Sequence, residues 1–69
     1  MSMMMKETFL DAQIALYQGQ LKVEEANILN LINNSVGIGE HTSISDDIDK
    51  HIAKIAELKE KIEVAESLK

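Results

Sequence analysis

The side chains best suited to chemistry in this chain cluster near its middle. Glu40 and His41 adjoin each other, and Asp47 and His51 follow at a spacing of four, one helical turn apart. Imidazole and carboxylate at such spacing are the usual ligands of a divalent metal, and Glu40, His41, Asp47 and His51 are the candidates for such a site. Just before them stands Gly37-Ile38-Gly39, and a Gly-x-Gly turn ahead of a helix can present backbone N–H groups to a phosphate. Neither reading is well supported by its surroundings. No lysine follows the glycines, and Glu40, Asp46 and Asp47 surround them with negative charge. His51 falls within an apolar periodic row, where an imidazole more often meets a hydrogen-bond partner than a metal. No Ser-His-Asp or Cys-His set occurs, so the expectation is a protein without catalytic residues, cofactor or resident metal.

The elements that would position these groups are two long helices. Sixty-nine residues without proline or cysteine offer neither a helix breaker nor a disulfide staple. From about residue 4 to 33 the apolar positions follow a helical period and form two stripes on roughly opposite faces. Leu10, Ile14, Tyr17, Leu21, Ile28, Leu31 and Ile32 make a bulky stripe. Met5, Phe9, Ala12, Leu16, Gly19, Val23 and Ala26 make the other, rich in small residues. Gln18, Lys22 and Asp11 separate them on one side, and Gln13, Gln20 and Glu24 on the other. A helix apolar on two faces needs two neighbours. A second helix in the chain supplies one, and the other comes from elsewhere. Ala12, Gly19 and Ala26 recur every seven residues, and the cost of an interior glycine, about 1 kcal/mol, argues that another helix approaches closely there.

The second helix is expected from about residue 44 to 68. Ile44, Ile48, His51, Ile55, Leu58, Ile62 and Ala65 alternate steps of four and three, a heptad seam that Ile52 widens. Ser43-x-x-Asp46 reads as its capping box, with Ser43 as the N-cap. Residues 34–43 form the bend, in which Gly37 and Gly39 give backbone freedom and Val36 and Ile38 cover the end of the core. A short bend between long helices folds them back antiparallel. The expected architecture is therefore all-α: one hairpin domain whose core is Ile14, Leu21, Ile28, Ile48, Ile55, Leu58 and Ile62. Phe9, Ala12, Leu16, Gly19, Val23 and Ala26 would join it to another copy in a dimeric four-helix bundle.

Composition limits the partners. The formal charge is −5, with seven lysines and no arginine, which weighs against nucleic acid. "MSMMMKETF" lacks the apolar core of a signal peptide, and no apolar run reaches membrane-spanning length, so a soluble protein of the cytoplasm is expected. The stretch "SVGIGEHTSISDDIDKHIAKIAELKEKIEVAE" resembles short uncharacterised proteins of tailed bacteriophages of marine bacteria. They share a Val-Gly-Ile-Gly-Glu-His bend and an acidic amphipathic helix. The resemblance covers about half the chain and implies a phage-like origin, with a host or phage protein as a possible partner beside self-association. It implies no activity. The reading from sequence is thus a small assembly or adaptor protein working through helix faces, with an RNA-binding dimer of hairpins as the alternative.

Overall fold

A computed structural model describes residues 3–34 and 41–69. Its two helices, α1 (Met3–Asn34) and α2 (His41–Ser67), pack against each other as an antiparallel pair, and the described residues contain no strand. The direction follows from three contacts. Asp11 meets Lys69, Tyr17 lies beneath Lys61, and Glu24 meets His51, so partners descend along α2 as α1 ascends. The molecule measures 57 × 14 × 11 Å, a rod only two helices wide.

The seam between the helices is a strict heptad row on each side. In α1 the least exposed positions are Leu10, Ile14, Tyr17, Leu21, Glu24, Ile28 and Leu31; in α2 they include Ile44, Ile48, His51, Ile55, Leu58, Ile62 and Ala65. Both rows step by four and three, the spacing that keeps one stripe on one neighbour along a long helix. Of the seven core residues expected from the sequence, Ile14 and Leu58 are buried and the other five half-buried. Ile32 and Ile52, expected to broaden the two rows, stand about half exposed, at 48% and 53%. The seam is therefore narrow. Among the described residues the two helices touch along one line, and positions beside that line stay exposed.

Local hydrogen bonds finish the helix ends. Asn34 Nδ2 donates to Asn30 O at 2.8 Å, within the last turn of α1. At the far end Ser67 Oγ donates to Val64 O at 2.6 Å, and Leu68 N donates to Val64 O at 3.2 Å. Here α2 begins at His41, so Ser43 stands in its first turn and not before it as the capping box requires. No acidic residue occupies that turn; Asp46 and Asp47 follow one turn later. The Ser43 side chain lies outside the described residues, as do Gly37, Gly39 and Glu40.

Candidate functional site

The polar contact inside the seam absorbs one of the residues that could do chemistry. His51 Nδ1 and Glu24 Oε2 lie 2.5 Å apart, with the two side chains 28% and 20% exposed. Glu24 was expected on the flank between the two stripes of α1. The structure places it in the seam, and the signal was present in the spacing: Glu24 follows Tyr17 by seven and precedes Ile28 by four. His51 and Glu24 satisfy each other where a lone charge or unpaired ring nitrogen would carry a desolvation cost. A polar pair in an otherwise apolar seam also penalises a slipped alignment, because sliding by one heptad sets both groups against hydrocarbon.

This pairing can be measured. Glu24→Ala and His51→Ala should each destabilise the fold by about 1–3 kcal/mol, the cost of leaving the other, half-buried group without its partner. The double variant should fall short of their sum by about 1 kcal/mol. Denaturant unfolding of the four proteins gives that coupling directly, and strictly additive losses would mean that the two groups do not interact.

The proposed metal ligands do not come together among the described residues. No three His, Asp or Glu side chains converge there, and Asp47 is exposed on α2 one turn from the Glu24-bound His51. Glu40 and the side chain of His41 lie outside the described residues.

Around the seam, exposed charges tie the surface together. Glu57 bridges Lys61 at 3.0 Å and Lys54 at 3.5 Å, and these hydrogen-bonded ammonium groups, Lys61 foremost, hold its carboxyl below the usual range. Lys61 Nζ also lies 5.7 Å from the centre of the Tyr17 ring, at the mouth of a groove between the helices. At the open end Lys69 Nζ reaches Asp11 Oδ1 at 2.6 Å, a bond that pushes the ammonium above its usual range. These contacts are open to water and screened, so they add little stability, and of them only Lys69–Asp11 and Lys61–Tyr17 cross from α2 to α1.

The second stripe of α1 is a different matter. Phe9, Ala12, Leu16, Gly19, Val23 and Ala26 are all exposed, Phe9 at 66%, Leu16 at 53% and Val23 at 58%. Their spacing, 3-4-3-4-3 along the helix, repeats the periodicity of the buried seam on nearly the opposite side. Apolar residues on opposite faces cancel, so α1 as a whole is barely amphipathic, whereas α2 is plainly one-sided. A Cβ built on Gly19 would meet nothing within 4 Å. Among the described residues nothing accounts for glycine at that position. Between Ala12 and Leu21 no charged residue occurs at all, although this stretch has one face in water. The acidic residues gather on α2, where Asp46, Asp47, Asp49, Glu57, Glu60, Glu63 and Glu66 all point outward. The outer face of α1 is thus an uncharged apolar strip beside an acidic helix, and it is the candidate site.

Among the described residues no helix is long and apolar enough to cross a membrane. Comparison with protein-family models, curated proteins and solved structures finds no match to this chain.

Proposed function

We propose that this protein is a small helical assembly or adaptor protein that acts without catalysis, through protein–protein contacts made by the outer face of α1. Its first partner is itself, in a dimeric four-helix bundle; a host or phage protein offering a similar apolar helix would be a second client. The observation that carries this reading is the exposed row Phe9, Leu16 and Val23 on a helix whose opposite side is already occupied. Isolated exposed apolar residues are ordinary on soluble proteins, but a continuous strip at heptad spacing is the mark of a contact face.

Area supports the same conclusion. The chain exposes 5266 Å², whereas a compact monomer of 7.7 kDa exposes about 4300 Å². The excess, about 900 Å², resembles the roughly 800 Å² that each partner contributes to a standard interface. Among the described residues only Ile14, Leu58 and Ala65 are buried hydrophobics. So small an interior gives a hairpin little stability of its own, and association supplies what is missing. The acidity of α2 and the absence of arginine favour this reading over RNA binding.

If folding and association are coupled, stability depends on concentration. Raising the protein concentration a hundredfold should raise the melting temperature by about 10 °C, since mass action then adds about 2.7 kcal/mol per dimer. Circular dichroism melts from micromolar to hundreds of micromolar would show the shift. A melting temperature independent of concentration would contradict the proposal.

A further inference from the structure

We infer that the occupant of the outer α1 face is the same face of a second copy running antiparallel, with Leu16 of each copy seated on Gly19 of the other. This inference rests on the proposed self-association and adds its geometry. From Phe9 to Ala26, the part of the strip beyond Met5, large and small residues alternate: Phe9, Ala12, Leu16, Gly19, Val23, Ala26. The large ones occupy one row of the heptad and the small ones the other. In an antiparallel pair of helices, one row of the first meets the other row of the second. Aligned about a two-fold axis beside residues 17 and 18, Phe9 faces Ala26, Leu16 faces Gly19, and Val23 faces Ala12. Symmetry repeats each pairing, so every layer sets a large side chain against a small one. The four central layers, Leu16 with Gly19 and Val23 with Ala12, then sum to nearly the same volume, and only the Phe9 layers at the two ends are larger, so the helices approach evenly through the middle of the contact.

A parallel pair would do the opposite. Each residue would face its own copy, so Phe9 on Phe9 and Leu16 on Leu16 would alternate with Gly19 on Gly19. Crowded layers would hold the helices apart, and the small layers between them would be empty.

The flanks agree with the antiparallel choice. Gln13 of one copy comes beside Gln20 of the other, and Lys6 beside Asn27, so amides meet amides and no like charges are opposed. The rows at the seam and at the outer face lie about 150° apart around α1. The two α1 helices therefore stand at the centre, with each α2 on the outside. That order keeps the two acidic α2 surfaces apart, whereas pairing through α2 would set carboxylates against carboxylates in a chain of charge −5.

The chain has no cysteine, so single spin labels can be placed without background. Asn27→Cys, Lys6→Cys and Gln20→Cys all lie at exposed positions of α1. At 1.5 Å per residue, antiparallel pairing puts the two labels at residue 27 about 30 Å apart, those at residue 6 about 35 Å apart, and those at residue 20 within about 15 Å. Dipolar spectroscopy, with sedimentation of the same labelled samples, should give that long–long–short pattern on a dimer. A dimer with all three labels close together, or with residue 20 far apart, overturns the antiparallel pairing and leaves association intact. A helical monomer with no dipolar coupling removes both this inference and the face on which it rests.

Discussion

Leu58→Ala should abolish most of the helical signal at room temperature, or lower the melting temperature so far that the folded baseline is lost. Leu58 is fully buried, the only large side chain among the described residues that is. Truncating a buried leucine removes its transfer free energy and leaves a cavity, at a cost of about 2–5 kcal/mol. In a domain of ordinary size that is a partial loss. Here the buried hydrophobics of the described residues amount to Ile14, Leu58 and Ala65, so the same loss consumes most of the stability. Leu29→Ala is the control. Leu29 is 60% exposed, and its truncation should change stability by less than about 1 kcal/mol. Equal tolerance of both substitutions, measured by denaturant unfolding, would mean that the seam is not the core.

Gly19→Leu should lower the melting temperature and shift the protein toward monomer. The sign of this effect separates two pictures cleanly. In an isolated hairpin nothing opposes a side chain at this position, because an added Cβ meets no atom within 4 Å. Replacing an interior glycine by leucine would then gain up to about 1 kcal/mol of helix propensity. With the partner's Leu16 already seated there, the added side chain overpacks the contact, at about 1–3 kcal/mol per site, and two sites lie in each dimer. The penalty exceeds the gain. Gly19→Ala adds one methyl group and should be milder in either direction. A Gly19→Leu protein that is more stable and keeps the oligomeric state of the wild type would show that the face is open.

Much of this was legible before any coordinates. The step of four and three in Ile44, Ile48, His51, Ile55, Leu58, Ile62 and Ala65 specifies one buried stripe on α2, and a helix with one stripe has one neighbour. Likewise the two stripes of α1 were visible because bulky residues sit at one heptad row pair and Phe9, Leu16 and Val23 at another. Glu24 was harder, since patterning by hydrophobicity passes over a carboxylate even when its position is a seam position. Only the meeting with His51 explains why a carboxylate is tolerated there. The width of the seam was also hidden. Ile52 and Ile32 are apolar and adjacent to the seam, yet each is about half exposed, since among the described residues only two helices pack together. The start of α2 at His41 departs from the Ser43 cap, and nothing in the described residues explains it.

Sedimentation equilibrium of the unmodified chain at micromolar concentration tests the central claim, association through the outer face of α1, most directly. The expected result is a helical species at twice 7.7 kDa that dissociates on dilution together with loss of helix. A single species of 7.7 kDa that keeps its full helical signal would contradict it.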